Sequence, residues 1–188
     1  MSWVVRRSAI DVVQPCQFLE VLSLTTWCSG VGSHWAERRY SITGDHGGSI
    51  EAVTIWVFID AVSGRPTRLP DEFTGVYGES AHGRTVSAKL RHDKVPTGST
   101  VTPTAWPLRF TDFDALGHVN NAIAWSVVEE LLSTRRELRA GRFSAEVEYG
   151  DGIEPGASVG VLTEEIHRGL HAWVVDGART HLSVRVRC

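Results

Sequence analysis

The chain has 188 residues, 42% of them hydrophobic and 22% charged, which is enough for one large globular domain or two small ones. A net charge of −3 leaves no electrostatic footprint for nucleic acid. No apolar run reaches membrane-spanning length, and the first seven residues are too poor in apolar side chains for a signal peptide, so no membrane partner is expected. Cys16, Cys28 and Cys188 lack regular spacing, which excludes a disulfide framework and points to reduced thiols in the cytoplasm.

In chain order, the first element is a strand over 3–13, where Val5, Arg7, Ala9 and Asp11 alternate with Val4, Arg6, Ser8, Ile10 and Val12 until Pro15 ends it. Strands follow at 21–27, 34–42 and 50–59, with turns at 30–33 and 44–48; the last is almost continuously apolar, as a central strand is. Residues 61–100 read as a linker broken by Pro66, Pro70, Pro96 and several glycines, with one short helical turn at 71–77. A strand at 101–110, a polar turn at 111–117 and a helix over 118–139, on the spacing of Val119, Ile123, Val127 and Leu131, come next. Four strands complete the chain, at 143–149, 157–167, 170–175 and 180–187. The clusters Arg38-Arg39, Arg135-Arg136 and the arginines between 179 and 187 read as solvated faces that could also dock an acidic protein.

A shift of 136 positions exposes an internal repeat. Ser8-Ala9 falls on Ser144-Ala145, 21–26 on 157–162, the turn 30–33 on 166–169, and 34–40 on 170–176. Nothing in the first copy corresponds to the strand and helix of 101–139. A sheet that packs on a helix buries an apolar face, so the first copy is expected to leave such a face uncovered. Either a preceding segment is missing, or a ligand or a second chain, as in a homodimer, covers it.

Asp114, His118, Asn120 and Asn121 crowd around the expected start of the long helix. Unpaired N–H groups and a partial positive charge there can polarise a carbonyl, and a carboxylate with an imidazole beside it can activate water. Simpler roles compete: Asp112 and Asp114 as turn or cap residues, Asn120 and Asn121 as caps, and Trp125 as a core aromatic. His167 and His171 have no cysteine or carboxylate at ligand spacing, so no metal is expected. The glycines between 44 and 48 lack the Lys-Ser/Thr of a phosphate loop, and no Gly-x-Ser-x-Gly elbow occurs.

The run D-x-D-x-x-x-H-V-N-N from Asp112 to Asn121 is preceded by Arg109-Phe110 and followed by Trp125 and Glu129-Glu130. With residues 3–8, Thr26-Trp27, the stretch 35–39, Trp56-Val57 and 63–70, it resembles the acyl-acyl-carrier-protein (acyl-ACP) thioesterases of the hotdog-fold superfamily. The resemblance implies an α+β double hotdog, two antiparallel sheets joined edge to edge with a long central helix in the C-terminal repeat. Residues 1–60 would be an N-terminal repeat lacking its first strand and helix, 61–100 the linker, and 101–188 the C-terminal repeat with the catalytic motif. It further implies hydrolysis of fatty acyl-ACP in fatty acid biosynthesis, without a cofactor. Asp114, His118 and Asn120 would be catalytic; Gly117, Asn121 and Trp125 would contact substrate, with the amides of 117–121 on the carbonyl oxygen. Aliphatic side chains of 50–59 would line the acyl pocket. Leu116 stands where plant-type members carry Asn, and Gly152-Ile153 where a Glu or Cys partner would stand, with Asp151 the nearest acid; the third catalytic group is left open. An acyl-CoA thioesterase and a non-catalytic acyl-binding or scaffolding module are the alternatives.

Overall fold

Strand-forming alternation in the first sixty residues yields four long antiparallel strands, and a second set of four follows the motif. The computed structural model describes residues 1–96, 101–133, 135 and 141–188. The chain divides into two compact units, Met1–Leu90 and Arg91–Cys188, so the division falls inside the stretch read as linker.

The first unit contains β1 (Ser2–Gln14), β2 (Leu22–Val31), β3 (Trp35–Gly44) and β4 (Ser49–Ile59), in spatial order β2-β3-β4-β1. β4 is paired on both sides, which accounts for its nearly unbroken apolar run. The register places Leu24, Ile42, Ile50 and Val12 in one apolar row across the sheet, and their face is largely apolar, with Ser8, Thr54 and Arg38 in its middle. The opposite face carries Arg7, Trp35 and Glu37, and the chain returns over it. The Trp35 indole donates to the Val86 carbonyl at 2.8 Å, Arg84 ion-pairs with Glu37, and Arg7 donates to the Lys89 carbonyl at 3.2 Å. Burial works against ionisation of Glu37, but Arg84 and Ser29 outweigh it and hold the carboxyl below its ordinary value.

The expected short helix is present as α1 (Asp71–Tyr77). It covers one end of the apolar face, where Phe73 meets Trp3 at a ring separation of 5.2 Å and Trp3 meets Phe58 at 4.9 Å. At the other end Leu22 and Leu24 remain 52% and 62% exposed. Beside α1 lies a cavity of about 700 Å³, lined by Trp3, Trp27, Trp56, Phe73 and Tyr77 among others. Five aromatic side chains line it together with Glu37 and Arg38, and Trp56 is the residue that β4 supplies.

The second unit contains β5 (Thr104–Ala105), β6 (Phe143–Tyr149), β7 (Gly160–Ile166), β8 (Gly169–Asp176) and β9 (Arg179–Arg187), in order β6-β9-β8-β7-β5. The order β6-β9-β8-β7 repeats β1-β4-β3-β2, so the weak sequence repeat corresponds to a repeated topology. Helix α2 (Ala124–Ser133) turns Ala124, Val127, Val128 and Leu132 toward the sheet. There Val147, Val184 and Val186 are completely buried, each contributing about 1.5–3 kcal/mol.

The other face of that sheet is held by residues 91–95, which act as a strap. The N–H groups of Arg91 and His92 donate to the two oxygens of Glu148 at 2.5 and 3.0 Å. The His92 ring lies between Ser183 Oγ (Nδ1, 2.9 Å) and Glu146 Oε1 (Nε2, 3.0 Å). The Trp173 indole donates to the Asp93 carbonyl at 2.9 Å, and Arg185 pairs with the Asp93 carboxylate at 2.5 Å. His171 bonds Ser183 through Nε2 at 2.8 Å and stacks on Trp173 at 3.9 Å.

Two expected elements differ. The strand over 101–110 shrinks to Thr104–Ala105, because Pro103 and Pro107 flank it and supply no backbone donor. The helix over 118–139 starts later, as a 3₁₀ turn Asn121–Ile123 running into a ten-residue α2 rather than a long helix from His118. Residues 134 and 136–139 of that expected helix, and 97–100 of the expected linker, lie outside the described residues.

Candidate active site

Residues 109–121 fold as a succession of turns. In the 3₁₀ turn Phe110–Asp112, the Asp112 carboxylate accepts the Arg109 N–H at 2.8 Å and its guanidinium at 2.9 Å. These contacts hold the carboxyl below its ordinary value, the backbone N–H foremost, although the residue is only 2% exposed. Phe113 then bridges to Val119, and the Asp114 N–H donates to the His118 carbonyl at 2.9 Å. This small hairpin closes through Gly117, whose φ of +80° suits glycine. Val119 is therefore a hairpin residue and not the first apolar position of a helix.

The Asp114 carboxylate reinforces the hairpin, Oδ1 accepting from the N–H groups of Leu116 at 2.9 Å and His118 at 3.3 Å. No other hydrogen bond to that side chain is present among the described residues, which leaves Oδ2 open. Asn120 caps the helix start, its side-chain oxygen accepting the Ala122 N–H at 2.9 Å. Leu116 sits at the tip, 76% exposed.

The backbone amides expected to bind a carbonyl oxygen are mostly committed. Those of Gly117, His118, Val119 and Asn120 donate to the Asp114 carbonyl, Asp114 Oδ1, the Ile153 carbonyl and the Asp112 carbonyl respectively. The first amide with no partner among the described residues is that of Asn121, where the turn enters the helix.

Loop 150–153 backs this arrangement. The exposed His118 ring lies over Gly152 so closely that a Cβ at 152 would come within 2.8 Å of the ring's Cδ2. No hydrogen bond joins the His118 ring to the Asp114 carboxylate among the described residues. Tyr149, at the end of β6, donates its hydroxyl to the Asn121 carbonyl at 3.1 Å and also bonds the Trp125 side chain. Burial raises the Tyr149 pKa, so its phenol remains a donor. Trp125 is thus half-buried and engaged with Tyr149. Asp151 is exposed, and its carbonyl is held by His181 Nδ1 at 3.0 Å. Sequence reading missed Tyr149, Gly152 and His181. The pair Gly150 and Gly152 signals a tight loop, but nothing local marks His181.

His92, Glu146 and Glu148 bring potential metal-ligand atoms within 4.8 Å of one another. All three side chains are already engaged in the strap, on the sheet face away from α2. The three cysteines are free thiols. Among the described residues no helix is long and apolar enough to cross a membrane.

Comparison with known proteins places this motif in context. Residues 1–77 match the acyl-ACP thioesterase N-terminal domain and residues 98–187 the acyl-ACP thioesterase C-terminal domain. The chain belongs to the acyl-ACP thioesterase family. An uncharacterized protein of Mycobacterium tuberculosis is 31% identical to this family member over 165 residues, 87% of this chain and 64% of the relative. The chain therefore spans 64% of the length of that curated relative. Among solved structures, the 12:0-ACP thioesterase from Umbellularia californica superposes with a TM-score of 0.76 at 19% identity, covering 99% of this chain and 74% of its own. An acyl-ACP thioesterase from Bacteroides thetaiotaomicron gives 0.75 at 20%, covering 99% and 76%. At these identities the likeness is one of fold, the hotdog type of thioesterases.

Proposed function

We propose that this chain is a thioester hydrolase that releases free fatty acid from acyl-ACP in the cytoplasm during fatty acid biosynthesis, and that its two units form a double hotdog. The observation that carries the reading is the 112–121 turn assembly. Among the described residues it sets a carboxylate with one open oxygen, an imidazole without a hydrogen bond and an unpartnered amide within eight consecutive residues of a family motif.

In this reading the thioester carbonyl oxygen is held by the Asn121 N–H and the Asn120 side-chain NH₂, whose own oxygen is anchored by the cap. Water adds to the carbonyl carbon while Asp114 Oδ2 takes one of its protons. The C–S bond then breaks, and His118 delivers a proton to the leaving sulfur. Transfer of the water-derived proton from Asp114 to His118 restores both groups. The cavity beside α1, with a volume of about 700 Å³, is within the range of small-molecule sites and offers aromatic walls to an acyl chain.

The test is thiol release from long-chain acyl-ACP by the purified chain. Asp114→Asn should lower kcat at least a hundredfold while melting with the wild type. An unimpaired variant would refute the role of Asp114. A second reading, a non-catalytic acyl-binding module, is favoured by Leu116 and by the engagement of Asp114 Oδ1 with backbone. Tight acyl binding without thiol release by the wild type would select it.

A further inference from the structure

We infer that His181 is a positioning residue of this site, holding through the Asp151 carbonyl the loop on which the His118 ring rests. The inference deepens the hydrolase reading above and rests on it. His181 is only 3% exposed and lies on β9 at a bulge: Val174 pairs with Leu182 and Val175 with Thr180, so His181 has no cross-strand partner. Bulges re-aim a side chain away from the regular pleat. Here the side chain bonds Asp151, in the loop that leaves β6, while the His181 carbonyl accepts the Gly150 N–H at 2.8 Å.

A carbonyl only accepts, so Nδ1 carries a proton, and in the neutral ring Nε2 then carries the lone pair. That Nε2 is buried with no hydrogen-bond partner among the described residues. An apolar side chain would pack the same place without stranding an acceptor, so what a histidine contributes there is the Nδ1 donor. What it does is pin the 150–153 loop at Asp151. One residue on, Gly152 supports the His118 ring, and two residues on, the Ile153 carbonyl accepts the Val119 N–H at 3.0 Å. The His118 ring and the backbone on its C-terminal side thereby both meet a loop that His181 fixes. Gly150 completes the arrangement, because a Cβ there would come within 2.9 Å of the Thr180 carbonyl oxygen.

The test combines nitrogen NMR of the histidine rings with kinetics on the full chain. In the wild type at neutral pH, His181 should appear as the Nδ1–H tautomer, with Nε2 unprotonated. His181→Leu removes the donor, whereas His181→Asn keeps an N–H where Nδ1 stood. The Leu variant should shift the His118 ring resonances and lower kcat about tenfold to a hundredfold at nearly constant KM. The Asn variant should restore both. An Nε2–H tautomer in the wild type, or His118 resonances and kcat indifferent to His181→Leu, would overturn the inference. Should the Leu variant fail to fold, the wild-type tautomer and the Asn variant decide. The resonances need no turnover, so a wild type that releases no thiol sinks the hydrolase reading alone. An active wild type whose His118 ignores His181 sinks this inference alone.

Discussion

Asp112 and Asp114 stand two residues apart in one motif and do different work. Asp112 is buried and satisfies the Arg109 N–H and guanidinium, while Asp114 is only partly covered and keeps one oxygen open. Asp112→Ala is therefore expected to lose about 1–3 kcal/mol in urea denaturation, and Asp114→Ala about 0.5–1.5 kcal/mol. Acid should destabilise the chain through several groups, Asp112 and His171 among them. The Asp112 carboxyl is held below its usual 3.8, so its contribution is present above that value and is lost as pH falls through the folded pKa. His171 is held down by burial first and Arg185 next, from 6.5 to about 4, so the unfolded chain binds its proton first. Stability should fall as pH drops from 6.5 toward 4, by at most about 3 kcal/mol from this group. Replacing His171 by Phe should flatten that part of the curve. The Asp and His of the motif were legible in the sequence as candidate chemistry. Which Asp is anchored and which is open was not, because that depends on where the Arg109 backbone points.

At the scale of elements, the hairpin 113–119 and the loop 150–153 depend on each other through close contact. Gly152→Ala would place a methyl 2.8 Å from the His118 ring, so the ring must move. The expected outcome is a drop in kcat of about tenfold or more with the melting temperature nearly unchanged. One carboxylate holds two amides of the strap: Glu148→Leu strands the N–H groups of Arg91 and His92 and should cost about 2–3 kcal/mol in chemical denaturation. Strand alternation was legible where both faces of a sheet are distinct, and β6 matches its expected range residue for residue. The start of α2 was not. Val119 falls in helical register with Ile123 and Val127 by coincidence, while its backbone pairs with Phe113 and Ile153.

For the whole molecule, the two units share a strand order but not a cover. In the second, α2 and the strap enclose the sheet on both faces; in the first, α1 covers one end of the apolar face and leaves a cavity walled by Trp3, Trp27 and Trp56. Long-chain fatty acid is expected to change tryptophan emission through those three indoles, saturably, and Asp114→Asn should leave that change intact. An acyl ligand that leaves emission untouched would place the chain elsewhere. The repeat was legible from a shift of 136 positions because turn spacing survives divergence that side-chain identity does not. The aromatic lining was not, since residues distant in sequence build it.

The Ser183 hydroxyl, set between His92 Nδ1 and His171 Nε2, has one proton for two imidazoles. With Glu146 ionised, His92 gives its Nε2 proton to the carboxylate and, when neutral, takes the serine proton at Nδ1. Ser183 must then accept from His171 Nε2–H, so the chain of donors runs one way, from His171 to Glu146. Adding a proton to His92 makes Nδ1 a donor, so the serine accepts there and its hydroxyl proton leaves that bond. Four residues on four segments are therefore joined in one chain of donors, and a proton added at His92 changes the part the serine plays in it.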